Sequence, residues 1–239
     1  MTKKSIVSVA KTAGFCFGVD RAVNLVNELV AEGKKVCTLG PIIHNPQLVK
    51  ELEDRGVRIV ESPKEVQEGE TLVIRSHGVA ASVFEEAKQK NLKIADATCP
   101  FVSKIHRIVA EKSGEGYVTV IAGDENHQEV KGIIGHCFGE YFVISNADEA
   151  NDLLKENENF EQKSVILVSQ TTFNAEIWEE IQKNFKKVCT NAEIFDTICN
   201  ATSMRQAEAE SLSKINDVIL VIGGRHSSNT AKLYDVCSN

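Results

Sequence analysis

Three cysteines stand where thiols can do chemistry. Cys16, Cys99 and Cys199 each lie between a predicted β-strand and a predicted helix, a position where open α/β sheets bind ligands. A helix N-terminus also lowers the pKa of a thiol and favours the thiolate that binds metals. No CxxC pair accompanies these cysteines, whereas zinc usually takes closely paired ligands. The placement suggests a [4Fe–4S] cluster with one iron free of protein ligands, although three unconnected thiols would satisfy the same pattern.

The other four of the seven cysteines are predicted to be structural. Cys37 and Cys189 lie in or beside apolar runs, where a free cysteine behaves as a small hydrophobic residue. Cys137 and Cys237 lie in less defined contexts. An odd number of widely spaced cysteines in a long chain suits reduced thiols or metal ligands better than a disulfide framework.

Three histidines follow predicted strands within a few residues: His44 in GPIIHNP, His77 in RSHGV and His127 in GDENHQE. A lone loop histidine is more often structural, but three in equivalent positions favour an anion-binding or acid–base site. His106, inside a predicted helix, and His136, in GHCFG, are predicted to be packing or surface residues.

The segment DVILVIGGRHSSNTAKLY is a candidate phosphate site. A buried strand is predicted to lead into Gly223 and Gly224, then into Ser227, Ser228 and Asn229, and then into a helix. Backbone N–H groups and hydroxyls at a helix start suit phosphate oxygens. The spacing of a Walker A loop is absent. An ordinary helix cap would use the same residues.

Two more side chains can take part in acid–base or substrate-binding chemistry. Glu129 lies two residues after His127, where a carboxylate could relay protons; a first-turn glutamate favoured by the helix dipole is the alternative. Thr171 and Thr172 follow another predicted strand, and either hydroxyl could hold a substrate oxygen or cap a helix.

Short apolar runs rich in β-branched residues alternate with amphipathic stretches along the whole chain. The strands and helices that they form must position the candidate side chains described above. The alternation predicts an α/β fold of parallel strand–helix units. The first strand is predicted at residues 5–10 and the last at residues 218–222. Asn45 before Pro46, and Ser82 with Glu85, are predicted helix starts.

The overall composition excludes several classes of protein. The chain has 239 residues, 42% of them hydrophobic, and a formal net charge of -7, which argues against a general binder of nucleic acid or of anionic membranes. No apolar run approaches the roughly 20 residues that cross a bilayer. The N-terminal apolar run is too short for a signal peptide, so a cytoplasmic protein is expected.

An internal repeat indicates how the units are arranged. LKIADATCPFVSKIHR and AEIFDTICNATSMRQ share a strand, an Asp-x-x-Cys element and a helix, and the N-terminal segment around Cys16 is a looser copy. The repeat predicts three units facing a common centre, at residues 1–98, 99–196 and 197–239.

The chain resembles the 4-hydroxy-3-methylbut-2-enyl diphosphate reductase family, also called the LytB or IspH family. The matching segments run in the family's order and cover nearly the whole chain: GFCFGVDRAV, HNPQLV, RSHGV, DATCPFV, GDENHQEV, SQTT, DTICNAT and SSNT. The resemblance implies three α/β units in a pseudo-threefold, trefoil-like arrangement around a [4Fe–4S] cluster. It also implies reductive dehydroxylation of an allylic diphosphate to isopentenyl and dimethylallyl diphosphates, with ferredoxin or flavodoxin as electron donor.

The resemblance assigns roles residue by residue. Cys16, Cys99 and Cys199 match the cluster ligands, and the fourth iron, without a protein ligand, meets the substrate hydroxyl. Glu129 matches a proton-relay carboxylate and Thr171 a threonine that contacts this hydroxyl. Diphosphate-binding positions are matched by His44, His77, His127, Ser227, Ser228 and Asn229, and His127 is also a plausible proton donor.

Two departures from the family pattern stand out. Gln128 occupies a position where family members often have proline, and the chain ends at AKLYDVCSN without a further Gly-Ala-Ser segment that binds diphosphate in the family. By this resemblance the third unit, residues 197–239, is expected to be incomplete at its C-terminal end. Two other functions remain open from the residues alone. One is a metal-dependent phosphate-ester hydrolase using the same histidines, and the other is a non-enzymatic thiol redox or metal-binding domain.

Overall fold

A computed structural model describes residues 7–157, 160–224 and 227–238. Within these residues, eight strands form two parallel four-stranded sheets. The first sheet has the order β2-β1-β3-β4, with β1 Lys35–Leu39, β2 Arg58–Val60, β3 Glu70–Ile74 and β4 Lys93–Asp96. The second has the order β6-β5-β7-β8, with β5 Val118–Ala122, β6 Tyr141–Ile144, β7 Val165–Ser169 and β8 Ala192–Ile194. The identical strand orders agree with the repeat seen in the sequence.

Helices connect the strands and cover both faces of each sheet. They are α1 Phe17–Ala31, α2 Pro46–Asp54, α3 Ala81–Gln89, α4 Pro100–Gly114, α5 Gln128–Ile134, α6 Ala147–Glu156, α7 Ala175–Val188, α8 Asn200–Ser213 and α9 Ser228–Ser238. The predicted α/β fold is confirmed. No helix in the described part of the chain is both long enough and apolar enough to cross a lipid bilayer.

The central strands β3, β5 and β7 are buried along their whole length and β1 is buried except at Lys35, as expected for parallel sheets with helices on both faces. Alternate side chains of a strand point to opposite faces of the sheet. Val73 of β3 packs in one core cluster, whereas its neighbours Leu72 and Ile74 pack in another. A strand that is buried on both faces has a continuous run of apolar residues, and that run is the signal by which the sequence predicts these strands.

One of the two predicted helix starts is correct. The Asn45 side chain accepts hydrogen bonds from the N–H groups of Gln47 and Leu48, and Pro46 is the first residue of α2. The prediction at Ser82 is wrong, because α3 begins at Ala81, before the serine, and Ala80 makes no side-chain cap.

Two predicted strands are absent from the described residues. Neither 7–10 nor 218–222 forms a strand, since no neighbouring backbone in the described chain pairs with them. Residues 5 and 6 of the first prediction lie outside the described residues. Val218, Leu220 and Ile222 are 73%, 79% and 91% exposed, so this apolar run does not form the buried strand expected of it.

Instead of a strand, the N-terminal segment forms polar contacts with α8. The Glu208 carboxylate accepts hydrogen bonds from the backbone N–H groups of Lys11 and Thr12, at 2.7 and 2.8 Å. Arg205 donates to the carbonyls of Thr12 and Gly14. The segment before Cys16 therefore packs beside the helix that begins after Cys199. The domain limits 1–98, 99–196 and 197–239 stay a prediction.

Candidate functional site

Each of the three singled-out cysteines directly precedes a helix. Cys16 is the N-cap of α1, Cys99 of α4 and Cys199 of α8, and all three are half-buried. Cys99 and Cys199 follow β4 and β8 as predicted, whereas the described residues before Cys16 form no strand. Equivalent backbone bonds fix two of them: Cys99 N–H donates to the Ser76 carbonyl at 2.9 Å and Cys199 N–H to the Thr171 carbonyl at 3.1 Å.

The three thiols converge. A Cβ on Gly18, in the first turn of α1, would lie 2.6 Å from the Cys99 sulfur, so α1 reaches this thiol closely only because residue 18 is glycine. Cys16 and Cys199 both act electrostatically on Cys99. Among the described residues, these sulfurs do not form a group within 4.8 Å of one another. Four Zn–S bonds of 2.3 Å would hold sulfurs about 3.8 Å apart, which is closer than these three thiols lie as a group.

The prediction that a helix N-terminus lowers the thiol pKa is wrong for Cys99. Burial raises the pKa of Cys99, and the N–H groups of Phe101 and Val102 only partly offset that effect. Desolvation penalises the thiolate more than the helix start favours it. A bound metal would provide the positive charge that a thiolate needs here.

Arg21 secures the turn before Cys99. Its guanidinium donates to the carbonyls of Asp96 and Thr98, both at 3.1 Å, while Thr98 N–H donates to the Asp96 carboxylate at 2.9 Å. Arg21 lies on α1, directly after the Cys16 turn, so these bonds fix the first two cysteine-bearing segments relative to each other.

The three loop histidines form one cluster. The ring centroids of His44 and His77 are 4.5 Å apart, and that of His127 lies 5.4 and 5.5 Å from them. One ring nitrogen from each lies within 4.8 Å of the others. Burial, and then the neighbouring histidines, lower the pKa of His77 well below its usual value, and burial followed by His44 lowers the pKa of His127 to about 4. His77 and His127 are therefore neutral at pH 7.

His127 also caps α5. Its Nδ1 accepts a hydrogen bond from the N–H of Glu129 at 3.2 Å. In a neutral imidazole whose Nδ1 is an acceptor, Nε2 carries the hydrogen. The cap thus sets the tautomer and leaves the ring with one N–H donor for an anion.

Glu129 is buried, with 3% exposure, and forms two hydrogen bonds with one residue. Its carboxylate accepts from the Thr171 N–H at 2.6 Å and from the Thr171 hydroxyl at 2.8 Å. Burial raises the pKa of Glu129 to about 7, against the opposing effect of these bonds. A carboxyl with this pKa can give up and take back a proton near neutral pH.

The serine-containing turn lies beside the histidines. A Cβ on Gly224 would lie 2.7 Å from the His44 carbonyl oxygen, so the two backbones nearly touch. The Thr172 hydroxyl donates to the Ser228 hydroxyl at 2.9 Å. Asn229 Oδ1 is buried without a hydrogen-bond partner in the described residues. An amide oxygen accepts hydrogen bonds, so only the NH₂ group of Asn229 could donate to an anion. The predicted helix start is confirmed, since α9 begins at Ser228.

The remaining cysteines and histidines agree with the structural interpretation. Cys37 and Cys189 are buried, and burial raises the pKa of Cys37 to about 12. Cys137 is half-buried, and burial raises its pKa to about 11. The rings of His106 and His136 stack at 4.2 Å, which confirms a packing role for this pair.

Two residues beside the cluster were not singled out from the sequence. Gln170 accepts a hydrogen bond from the Asp124 N–H at 3.2 Å and donates to the Thr172 hydroxyl at 3.1 Å. Arg75 donates to the Gln128 side chain at 2.6 Å. The segments SQTT and RSHGV contain both residues, but only the assembled strand ends reveal which partners they reach.

The fold and this site define an α/β protein of repeated units in which a group of thiols and a group of imidazoles meet at adjoining strand ends. A family model described as LytB protein matches residues 7–239. The chain belongs to the LytB family, and membership implies an iron–sulfur cluster.

Individual relatives agree with this assignment. The chain is 45% identical to 4-hydroxy-3-methylbut-2-enyl diphosphate reductase of Caldanaerobacter subterraneus, over 97% of this chain and 80% of that protein. It is 41% identical to the enzyme of the same name from Clostridioides difficile, over 98% and 82%.

Two solved structures are also similar. One is E-1-hydroxy-2-methyl-but-2-enyl-4-diphosphate reductase from Plasmodium falciparum, with TM-score 0.87, 30% identity, and coverage of 94% of this chain and 70% of that one. The other is (E)-4-hydroxy-3-methyl-but-2-enyl diphosphate reductase, described as the terminal enzyme of the non-mevalonate pathway, with TM-score 0.73, 41% identity, and coverage of 97% and 82%.

Proposed function

We propose that this chain is the oxidoreductase that converts 4-hydroxy-3-methylbut-2-enyl diphosphate to isopentenyl and dimethylallyl diphosphates. The observation that carries the proposal is a chain of contacts between the two groups of the site. Glu129 follows the histidine cap of α5, Thr171 donates twice to its carboxylate, and the Thr171 carbonyl accepts from Cys199 N–H. A proton-carrying group thus lies between the imidazoles and the thiols.

Cys16, Cys99 and Cys199 would hold a [4Fe–4S] cluster. Thiolates are the usual ligands of such clusters, and three sulfurs spread more widely than one zinc ion requires fit a polynuclear group. When bound, the cluster supplies single electrons and a Lewis-acidic iron. The close packing of Gly18 on the Cys99 sulfur helps to keep the thiols on one side of the site.

The diphosphate would bind to His44, His77, His127, Ser227, Ser228 and Asn229. Neutral imidazoles and hydroxyls are hydrogen-bond donors, and several donors at fixed positions orient an anion better than one mobile charge. The start of α9 adds backbone N–H groups that can donate to the anion. The Thr172 hydroxyl donates to the Ser228 hydroxyl and so joins this helix start to the end of β7.

Proton transfer would use Glu129, with Thr171 contacting the substrate hydroxyl and His127 donating through the diphosphate. The allylic C–O bond breaks, two electrons and two protons enter, the hydroxyl leaves as water and a C–H bond forms. A carboxyl with a pKa of about 7 holds a proton for this step, and its burial keeps competing water away. A one-electron carrier, ferredoxin or flavodoxin, would supply the electrons, in the cytoplasm.

The alternatives read from the residues are less well supported. A phosphate-ester hydrolase could use the three imidazoles as metal ligands, but family membership favours the reductase. A thiol sensor would give no reason for a buried carboxyl of neutral pKa next to the imidazoles.

Anaerobic purification tests the proposal. The wild-type protein should contain iron and acid-labile sulfide, give the EPR signal of a reduced cluster, and reduce the diphosphate substrate with a chemical reductant. Ser substituted for Cys16, Cys99 or Cys199 should remove most of the iron. The matched control is Cys237→Ser, a half-buried cysteine on α9 whose thiol donates to the Ala209 carbonyl. Zinc in place of iron, or a cluster that survives loss of any one of the three cysteines, would contradict the assignment.

A further inference from the structure

The guanidinium of Arg75 touches the segments that carry all three clustered histidines. Its Nη1 donates to the Leu39 carbonyl at 3.3 Å, at the start of the loop that leads to His44. Its Nη2 donates to Gln128 Oε1 at 2.6 Å, next to His127. Arg75 itself lies two residues before His77. One side chain therefore joins three loops that are far apart in sequence.

Gly40 makes room for this contact. Its φ is +67°, in the left-handed region, and an added Cβ would lie 2.3 Å from Nη1 of Arg75. A side chain at position 40 would therefore strain the backbone and displace the guanidinium. The backbone of the His44 loop is shaped around the arginine.

Arg75 brings to this place a positive charge with no carboxylate in contact; Glu61 acts on it electrostatically, but the two form no ion pair among the described residues. Arg58, on β2, has its charge balanced by Glu70, with 2.8 Å between Nε and Oε1. Within the described residues, Arg75 forms no such ion pair, and its Nε is buried without a hydrogen-bond partner. Burial lowers the pKa of Arg75 from its usual value, but a guanidinium stays charged in proteins.

Two of the neighbouring imidazoles provide no charge of their own, because burial keeps His77 and His127 neutral at pH 7. Arg75 acts electrostatically on both rings. Among Arg75, His77 and His127, only Arg75 therefore carries a positive charge at pH 7.

We propose that Arg75, anchored by Gln128 and the Leu39 carbonyl, is a positioning residue that fixes the three histidines as one anion-binding group and supplies the positive charge that draws in the diphosphate. The inference rests on the proposed function, because it deepens the role of the histidine cluster. Gln128 holds the guanidinium in position, and its hydrogen bond with Arg75 links the start of α5 to the end of β3.

The variants separate charge from position. Arg75→Met removes both, Arg75→Lys keeps the charge but loses the two-armed contact, and Gln128→Glu keeps an acceptor for Nη2 while neutralising the charge. Arg107→Met is the matched control, since Arg107 is an exposed arginine on α4. Iron content and the EPR signal check that each variant retains the holoenzyme.

The probe is inorganic diphosphate, titrated calorimetrically into anaerobic holoenzyme at two salt concentrations. Loss of hydrogen bonds to a charged group predicts a Kd about 10- to 100-fold higher for Arg75→Met. A new opposite charge beside the guanidinium predicts a Kd about 10-fold higher for Gln128→Glu. KM for the substrate should rise with Kd, while kcat at saturation changes by less than about threefold, because the arginine acts on binding through the histidines.

Two outcomes overturn the inference: Arg75→Met with the wild-type Kd and KM, or Gln128→Glu binding as tightly as wild type. The second variant decides the matter if Arg75→Met does not fold. Failure of the proposed function has a different signature, in which the wild-type holoenzyme does not bind diphosphate or His77→Ala binds it unchanged.

Discussion

The backbone N–H and the side-chain hydroxyl of Thr171 both donate to the Glu129 carboxylate, at 2.6 and 2.8 Å. The same threonine accepts the backbone hydrogen bond of Cys199 through its carbonyl. One residue thus links a buried acid to a helix-capping thiol. Because the pair is buried and doubly bonded, the carboxyl is held in one orientation.

Glu129→Gln tests whether this acid transfers protons. The amide oxygen can still accept from Thr171 N–H and the amide nitrogen can donate to the hydroxyl, so the fold and iron content should be unchanged. Loss of a general acid predicts a fall in kcat of about 10²- to 10⁴-fold with a chemical reductant. Glu125→Gln, an exposed acid in the preceding turn, is the control. Unchanged turnover in Glu129→Gln would remove Glu129 from the reaction.

The pH profile should report the Glu129 carboxyl. Burial raises its pKa to about 7, so the proton is present below that pH and lost above it, and kcat should fall on the alkaline side. The Thr171 hydroxyl favours the charged form, hence Thr171→Val should raise the pKa and move the descending limb to higher pH.

Measurement of kcat from about pH 6 to 9 under saturating reductant checks this direction, since a group of pKa near 7 titrates in that window. Thr171→Ser, which keeps the hydroxyl, should leave the limb in place. A shift to lower pH in Thr171→Val would contradict the role of the hydroxyl.

Gly18→Ala should damage the metal site without unfolding the protein. Helix propensity alone favours alanine over glycine by roughly 1 kcal/mol. An alanine Cβ would lie 2.6 Å from the Cys99 sulfur, so α1 must move away and carry Cys16 with it. Iron content should drop while the unfolding midpoint of the metal-free protein changes little.

Gly139→Ala is the control for that experiment, because a Cβ there meets nothing within 4 Å. Full iron content in Gly18→Ala would show that the close contact between α1 and Cys99 is not required for cluster binding.

His106 should make the fold sensitive to acid. Burial lowers its pKa to about 3, and the ring packs against Gly78, Gly132 and His136. A depressed histidine pKa stabilises the fold above the unfolded-state value near 6.5, and that contribution is lost as the pH falls toward the folded-state pKa. The loss reaches at most about 5 kcal/mol, at 1.36 kcal/mol per pKa unit.

Urea unfolding of His106→Leu from about pH 7 to 4 should therefore show a flatter dependence than the wild type. Val109→Ala, a buried change on the same helix, should lower the free energy of unfolding equally at each pH. An unaltered slope in His106→Leu would mean that other groups set the acid response.

The sequence predicted the alternation of parallel strands and helices. Strands β3, β5 and β7 were the clearest, since fully buried parallel strands give continuous apolar runs. The strand predictions at residues 7–10 and 218–222 were wrong, because an apolar run forms a strand only where a second strand pairs with it. The local sequence does not show whether such a second strand lies alongside. It also misjudged the Cys99 pKa, because burial of the thiol depends on α1 packing across it.

The roles of Arg75 and Gln170 were not predicted from the sequence, for a related reason. Their hydrogen bonds reach Leu39, Gln128 and Asp124, which only the assembled sheet edges bring near. Residue type can indicate that a histidine or cysteine does chemistry, whereas a positioning side chain is recognised by what it touches.

The two sheets present unlike groups at like positions. Arg75 and Gln170 each come directly after the strand that ends in Ile74 or Ser169, and two residues further on stand His77 and Thr172. One half of the molecule thus offers a cation and an imidazole where the other offers an amide and a hydroxyl. Because the two similar sheets carry different side chains at equivalent positions, a molecule with one ionic end and one uncharged end would bind between them in one orientation. The reversed orientation would place its ionic end beside the uncharged side chains.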